Sequence, residues 1–338
     1  MSLHDLERSG GTAVMKIHFL NVGHGDCTIV ELPSGRIMMI DINNSKKLPE
    51  EDEKALALAK GVSLYNFRHQ ARFIKGKFRS WEEYYKSLLV DPADYFKENF
   101  PGKSLFRYIQ THPDMDHMSG LHRIFWDEKV DLVNFWDVNH DKTFKESDFD
   151  YGPFDYADWE AYENLRKGKG PDGSTLKVLN KFRGWTGEYW TDDNIEILSP
   201  TPELIDGCAA SGSYNDCSYV LKLTHAGRTV ILPGDAEAAA WKSILDEPGE
   251  DAIKCDILKA SHHGRESGYH KEAVDAMSPE VVICSVGKKP DTDASDEYKS
   301  HGAKVLSTRF NGTITVTVWD DGDVWVENQE GERIYTID

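Results

Sequence analysis

Residues 104–121, SLFRYIQTHPDMDHMSGL, decide how the rest of this chain is interpreted. An apolar run over residues 105–110 has the composition of a β-strand, and imidazole and carboxylate side chains follow it closely: His112, Asp114, Asp116 and His117. A loop at the end of a strand can direct several lone-pair donors at one divalent cation, at bond lengths of about 2.0–2.6 Å. Helix capping by Asp116 or Ser119 is the alternative, but capping requires one such side chain and not several. The pattern therefore predicts a metal-binding loop.

At these positions the sequence resembles the metallo-β-lactamase superfamily, whose signature is His-x-His-x-Asp-His. Asp114 stands where the signature has its middle His. This variant is similar to the hydrolase domain of competence channel proteins, which take up DNA, and to the phosphorylcholine esterases of the same superfamily. Further similar segments follow in the family's order: NVGHGDCTIVELPSGRIMMID, NDCSYVLKL, VILPGDAE, DILKASHHG and KVLSTRFNGTITVTV. The resemblance covers residues 15–318.

The resemblance implies an α/β fold of the αββα type, in which two mixed β-sheets lie face to face with helices outside. Strand-like runs near residues 15–42, with a Pro-Ser-Gly turn signal, suit its first half. We expect a disordered leader at residues 1–14 and one domain at 15–338. Insertions at 43–101 and 137–191 interrupt the family's motifs, and we expect them to form the walls of a cleft. Apolar residues at 3–4 spacing predict amphipathic helices in the first insertion.

Composition limits the partners. A formal net charge of −19 disfavours nucleic acid and anionic membranes, because like charges repel at long range. The cysteines are odd in number and lack CxxC spacing, which is typical of reduced thiols in a cytoplasmic protein: Cys27, Cys208, Cys217, Cys255 and Cys284. We find no signal-peptide pattern and no apolar run long enough to cross a membrane.

The resemblance also implies a set of metal ligands. Asp235, in a Gly-Asp pair, would bridge two cations. One cation would be held by His112, Asp114 and Asp235, and the other by Asp116, His117, Asp235 and His262. Successive side chains point apart, so His262 and His263 cannot easily both bind one ion; we expect His262 to be the ligand and His263 to face the substrate. Asp41 and Asp26 would support the ligands from behind.

One departure concerns the choice of metal. The lactamases have a further His in the segment that matches residues 213–220, where this chain has Asn215-Asp216-Cys217. Carboxylates in place of imidazoles are harder donors, so Mn²⁺ competes with Zn²⁺ as the resident ion. Two divalent cations, Zn²⁺ or Mn²⁺, are the expected cofactors.

Two such cations can hold a hydroxide between them for attack on phosphorus. We therefore expect a metal-dependent phosphodiesterase or nuclease-like hydrolase, with Asp116 as ligand and acceptor for the hydroxide proton. His263, Asn215 and Ser267 would contact substrate oxygens. A lactonase or other small-ester hydrolase, and a catalytically silent binding protein, are the alternatives. The expected substrate is a small-molecule or nucleotide phosphoester; single-stranded nucleic acid is disfavoured by the net charge.

Two features of the insertions have alternative interpretations. Basic residues in the first insertion could form a phosphate-facing patch or a solvated helix face: Arg68, Arg72, Lys75, Lys77 and Arg79. The aromatic residues of the second insertion could stack on a base or surround a choline-like group, or they could be buried against the domain.

Overall fold

Two β-sheets lie face to face in the computed structural model, which describes residues 14–44, 48–69, 73–286 and 292–338. The first sheet has the order β15-β14-β13-β1-β2-β3-β4-β5-β6, and the second has the order β12-β11-β10-β9-β8-β7. The strands are β1 (Met15–Phe19), β2 (Thr28–Glu31), β3 (Ile37–Ile40), β4 (Leu105–Ile109), β5 (Leu132–Trp136), β6 (Lys177–Leu179), β7 (Ile195–Ser199), β8 (Val220–His225), β9 (Arg228–Leu232), β10 (Ile257–Lys259), β11 (Val281–Cys284), β12 (Lys304–Ser307), β13 (Ile314–Val318), β14 (Val324–Glu327) and β15 (Arg333–Ile337).

Helices connect the strands. The α-helices are α1 (Glu50–Ala59), α2 (Leu64–His69), α3 (Trp81–Ser87), α4 (Pro92–Asn99), α5 (Tyr156–Arg166), α6 (Glu188–Asp192), α7 (Pro202–Ser211), α8 (Ala238–Asp246), α9 (Lys271–Met277), α10 (Ser295–Ser300) and α11 (Thr308–Asn311). Short turns of other helix types occur at Met115–His117, Arg123–Asp127, Glu146–Phe149, Asn215–Cys217, Glu250–Ile253 and Ser261–Gly264. No helix of the described residues is long and apolar enough to cross a membrane.

Separate apolar clusters hold the layers together. Ile17 and Val30 of the first sheet pack with Leu221 and Ile283 of the second, so this cluster lies between the sheets. Alternation along the strands gives each sheet a second apolar face, which helices cover. The predicted four-layer αββα fold is therefore confirmed.

The outer faces show how the helices attach. Tyr108 on β4 packs in one cluster with Phe96 of α4 and Trp159 of α5. On the other sheet, Val282 of β11 packs in a cluster with Trp241 of α8. Burying a large apolar side chain of this kind contributes roughly 1.5–3 kcal/mol relative to leaving it exposed.

The two predicted insertions differ in what they build. Aromatic residues of the first insertion form a small apolar cluster of their own, which includes Phe67, Tyr84 and Tyr85. The second insertion adds helix α5 to an outer face and β6 to the edge of the first sheet, where β6 pairs in parallel with β5. The sequence did not predict this extra strand. The domain boundaries stay a prediction, and residues 1–13 of the expected leader lie outside the described residues.

A buried ion pair joins β4 to the chain just before β7. Arg107 and the side chain of Asp193 are almost fully buried, and the Arg107 Nη2 atom lies 2.8 Å from Asp193 Oδ2. Arg36 approaches the other oxygen of Asp193, with Nη1 at 2.8 Å from Oδ1. Because β4 and β7 belong to different sheets, these contacts fix the two sheets relative to each other at this edge.

Removing one partner of this pair should destabilise the protein strongly. We expect Asp193→Ala to lower the free energy of unfolding by about 3–5 kcal/mol, because the Arg107 guanidinium is then buried without its counter-ion. Urea unfolding of the variant measures the change. The neighbouring Asp192 is half exposed and serves as the control, so Asp192→Ala should change the free energy of unfolding by less than about 1 kcal/mol. Equal effects of the two substitutions would contradict this prediction.

Candidate metal centre

The ends of four strands meet at one edge of the sandwich. Asp41 follows β3, the loop with His112 and His117 follows β4, Asp235 follows β9, and His263 follows β10. Neighbouring strands β3 and β4 are parallel, and so are β9 and β10, so their carboxyl ends lie on the same side. Backbone hydrogen bonds connect these loops, including Ile42 N to His117 O at 2.9 Å and Tyr219 N to Thr111 O at 3.1 Å.

Positive φ angles occur at several non-glycine residues of this edge. Asp41, His262 and His263 have φ values of 56°, 48° and 58°. Such conformations cost free energy and are retained where the surrounding structure demands them, often at functional sites. Gly25 has φ 139°, and a Cβ atom there would collide with the backbone oxygen of Asp116. The glycine therefore allows the segment around residue 25 to pass directly beside the candidate metal loop.

One group of side chains, which we call the inner cluster, consists of Asp26, Asp116, His117, Asp235 and His263. Possible ligand atoms of Asp26, His117, Asp235 and His263 all lie within 4.8 Å of one another. His117 Nε2 lies 3.2 Å from Asp235 Oδ2. His263 Nε2 lies 3.4 Å from Asp235 Oδ2 and 3.4 Å from Asp116 Oδ2. Separations of this size are those of atoms that surround a common ion.

His112 and Asp114 form a second group beside the inner cluster, which we call the outer pair. His112 Nε2 lies 3.9 Å from Asp114 Oδ2, and the His112 and His117 rings are 4.2 Å apart. His112 is fully buried, whereas Asp114 is partly exposed at the mouth of a cleft. The structure thus brings every predicted residue of the loop to one place, in two adjacent groups.

Several atoms in these groups are buried without a hydrogen-bond partner among the described residues. They are His112 Nε2, His117 Nε2, His263 Nε2, Asp235 Oδ1 and Asp26 Oδ1. Buried polar atoms are normally paired, since an unpaired one costs about 1–3 kcal/mol. Imidazole nitrogens and carboxylate oxygens are also the ligands that divalent transition metals accept. The residues present therefore fit a divalent metal site.

The other nitrogen of each ring is held by the protein. His117 Nδ1 lies 2.8 Å from Asp41 Oδ2, and His263 Nδ1 lies 3.0 Å from the Ser285 carbonyl. The Thr111 hydroxyl donates to Asp41 at 2.6 Å, so at 3.0 Å it can accept from His112 Nδ1. A donated Nδ1–H leaves the Nε2 lone pair of each imidazole free for a metal. Asp41 makes the contacts expected of a residue that supports the ligands from behind.

The electrostatics of the inner cluster favour positive charge. Burial opposes protonation of His263, but the carboxylates of Asp235, Asp26 and Asp116 raise its pKa to about 10. Burial likewise opposes protonation of His117, yet Asp235 and Asp41 raise its pKa well above the usual value. The pKa of Asp235 is well below its usual value, because His117 and His263 outweigh the effect of burial. A buried site that stabilises positive charge so strongly is suited to a divalent cation.

The expected roles of His262 and His263 need correction. His263 is 1% exposed and points into the inner cluster, whereas His262 Nε2 lies 3.7 Å from Asp235 Oδ2 at the cluster's edge. His262 Nδ1 is occupied by contacts to Glu237 Oε1 and Ser267 Oγ, both at 2.8 Å. The physical reason is the pair of left-handed residues, which turns the chain so that the second ring and not the first enters the cluster. In this structure His263 Nε2 therefore faces Asp116 and Asp235 inside the inner cluster, whereas His262 lies at the rim of the cluster.

Asp26 has a partner that the sequence analysis missed. Lys259 on β10 is 3% exposed, and its Nζ atom lies 2.5 Å from Asp26 Oδ2. Asp26 lies 3.8 Å from the Nδ1 atoms of both His117 and His263, on the side of the rings away from Nε2. This position agrees with a supporting role for Asp26, and Lys259 balances its buried charge.

Several further residues lie at the rim of the inner cluster. The sequence analysis gave Asn215 a substrate contact, but it did not identify the others. Asn215 Nδ2 donates to Glu237 Oε1 at 3.2 Å, so the expected substrate contact is engaged with Glu237 in this structure. His24 groups with Asp116 and His263 and contacts Arg265 Nη2 at 3.1 Å. The signal for His24 was available, because it lies between two glycines in the first similar segment. Glu237 and Arg265 carried no comparable signal.

Two residues of the basic cluster in the first insertion are paired with carboxylates. Arg68 contacts Glu50 and Glu53, and Lys75 contacts Glu330 and Glu332. Arg72 lies outside the described residues. These partners favour the interpretation of a solvated surface over that of a phosphate-facing patch.

Comparisons with known proteins give similarities to solved structures and to curated proteins. No family model matches the chain. Solved structures similar to this one include the metallo-β-lactamase fold protein YhfI from Bacillus subtilis. That similarity has 11% identity, covers 92% of this chain and 99% of YhfI, and gives a TM-score of 0.41.

Two curated relatives are competence proteins, as the sequence resemblance predicted. The chain is 32% identical to ComE operon protein 3 of Bacillus subtilis over 217 residues, which cover 63% of this chain and 24% of that protein. It is 26% identical to competence protein ComA of Neisseria gonorrhoeae over 159 residues, covering 44% of this chain and 22% of the relative. The chain thus spans about a quarter of the length of these relatives.

Proposed function

We propose that the protein is a metal-dependent phosphodiester hydrolase. The observation that carries the proposal is the set of unpartnered, buried imidazole and carboxylate atoms on both sides of Asp235. Asp116, His117, Asp235 and His263 would hold one divalent cation, and His112, Asp114 and Asp235 would hold a second. Asp114 replaces an imidazole with a harder oxygen donor, which supports Mn²⁺ as well as Zn²⁺.

In hydrolysis assisted by two cations, the protein mainly has to position the metal ions, the water and the substrate and to provide compensating charges. Divalent cations supply Lewis acidity, lower the pKa of water towards 7 and stabilise charge on phosphoryl oxygens. Although Asp116 is largely buried, hydrogen bonding from His263 and the charge of His117 lower its pKa far below the usual value. An ionised Asp116 can accept a hydrogen bond from the attacking water or hydroxide. Arg265, close to His24, is available to contact an anionic oxygen of the substrate.

A cleft of about 290 Å³ lies directly beside these residues. Asp114, Asp116 and Lys142 line one part of it, and Phe144, Phe149 and Phe154 of the second insertion line another. A charged wall next to an apolar wall suits an ester of phosphate that carries an apolar or aromatic group. The size of the cleft and the net charge of −19 favour a small-molecule or nucleotide phosphoester over long nucleic acid.

Hydrolysis of bis(p-nitrophenyl) phosphate by the purified chain tests the proposal. We expect a chelator to abolish the reaction and Mn²⁺ or Zn²⁺ to restore it, because the carboxylates of the site cannot polarise phosphate without a cation. Release of p-nitrophenol before and after chelation is the measurement. A lactone and p-nitrophenyl acetate serve as comparison substrates. If these esters were cleaved and the phosphodiester were not, the alternative of a small-ester hydrolase would replace the proposal.

A further inference from the structure

Lys142 lies at the outer pair of the candidate metal centre, although nothing in the sequence pattern pointed to it. Its Nζ atom is 2.5 Å from Asp114 Oδ1. The same ammonium lies over the rings of Phe144 and Tyr214, at 5.1 and 5.3 Å from their centroids. Its side chain is 20% exposed, so this is a partly buried ion pair inside the cleft and not a solvated surface contact.

Hydrogen bonds hold the backbone segment that immediately precedes Lys142. The backbone N–H of Lys142 donates to Nδ1 of the buried residue His140 at 3.0 Å, and His140 Nε2 contacts the Tyr162 hydroxyl at 2.6 Å. That hydroxyl donates in turn to the buried Asp137. These three contacts form one consistent chain of donors and acceptors, since a neutral His140 accepts at Nδ1 and donates at Nε2. In addition, the Tyr214 hydroxyl donates to Asp141 Oδ1 at 2.6 Å. The backbone that carries Lys142 is therefore fixed in place by buried groups.

We propose that Lys142 is a positioning residue, a tethered cation that competes with the outer metal ion for Asp114. The inference rests on the proposed function, because it concerns the same centre. An ion held by His112 and Asp114 would share the Asp114 carboxylate with the ammonium, and two positive charges on one carboxylate repel each other. His112 Nε2 is unpartnered and lies 3.9 Å from Asp114 Oδ2, so the outer position exists but carries this electrostatic penalty.

The inner cluster carries no such penalty on its central carboxylates. Among the described residues, no ammonium or guanidinium lies within 4 Å of Asp116 or Asp235. Lys259 pairs with Asp26 on the far side of the imidazole rings. The centre therefore takes one ion tightly at the inner cluster and a second ion weakly at the outer pair, with the ammonium of Lys142 supplying positive charge there until the second ion displaces it.

Calorimetric titration of the chelator-stripped chain with Mn²⁺ tests this inference without relying on catalysis. Wild type should bind one ion tightly and a second weakly. Lys142→Met should bind the second ion at least about 10-fold more tightly, a change within the range found for residues that contact metal ligands. Lys142→Arg keeps the positive charge and should behave like wild type. Lys145→Met removes an exposed positive charge from the same loop and should leave both affinities unchanged.

The outcomes separate this inference from the proposed function. If Lys142→Met bound the second ion with unchanged or lower affinity, the competition would be disproved. Two equally tight ions in wild type, or none, would also overturn it. Circular dichroism of each variant checks that the fold is kept. Hydrolysis of bis(p-nitrophenyl) phosphate is measured separately, so a protein that binds Mn²⁺ as expected but cleaves no phosphodiester would overturn the proposed function alone.

Discussion

Replacing Asp116 by Asn should lower kcat for phosphodiester hydrolysis by about 10²-fold or more, the size expected when one transition-state contact is lost. Asp116 Oδ2 lies 3.4 Å from His263 Nε2 at the edge of the inner cluster, and Asp116 also lines the cleft. The substitution removes an anionic ligand atom and the anionic hydrogen-bond acceptor for the attacking water or hydroxide. Because Asn has nearly the same shape and the backbone oxygen of Asp116 still accepts from Asp26 N, the fold should survive. The measurement is kcat with saturating Mn²⁺.

Asp148 provides a matched control for this substitution. It is an exposed carboxylate that lines the same cleft, and it accepts from the backbone N–H of Lys145 at 2.8 Å. Asp148→Asn makes the same change in charge and shape, but it should leave kcat within a few-fold of wild type because Asp148 does not belong to the metal centre. A fully active Asp116→Asn enzyme would require abandoning the proposed mechanism.

The sequence predicted the features that local patterns encode. The strand before the loop at residues 111–117 and the strands near residues 15–42 follow from hydrophobic runs, and the supporting position of Asp41 follows from motif order. These features depend on residues that are close together in the chain, or on the order in which the family's motifs follow one another along the sequence. The four-layer arrangement was implied by the family resemblance. It agrees with the burial of strands such as β3, which has Met38 in the cluster between the sheets and Met39 in the outer cluster.

Other features depend on backbone geometry and long-range contacts, which the sequence does not display. The order of His262 and His263 is decided by consecutive left-handed residues. Lys142 reaches Asp114 because hydrogen bonds to His140 and Asp141 fix its loop. Nothing in the sequence distinguishes Lys259 from other lysines in strands, because its ion pair with Asp26 is visible only in the structure. In each case the deciding partner is distant in the chain or the deciding variable is a dihedral angle.

His263 and His262 should differ sharply when each is replaced by Ala. We expect His263→Ala to lose about one equivalent of bound metal, as removal of a ligand from a four-coordinate site would, and to reduce kcat by at least about 10²-fold. His263 is buried, and its Nε2 atom faces both Asp116 and Asp235, so its loss leaves these carboxylates without a neutral ligand between them. Metal content after gel filtration is measured by elemental analysis alongside kcat.

His262 provides the control, because it is also a histidine but lies at the rim of the inner cluster and not inside it. His262→Ala should keep the metal content of wild type, because His262 Nε2 lies 3.7 Å from Asp235 at the rim, whereas His263 Nε2 lies 3.4 Å from both Asp116 and Asp235. It should change turnover mainly through KM, since Glu237, which accepts from Asn215, loses its contact with His262. The opposite pattern, with metal lost from His262→Ala and kept by His263→Ala, would restore the order expected from the sequence. It would also mean that the metal-loaded chain turns these two left-handed residues so that the first ring enters the cluster.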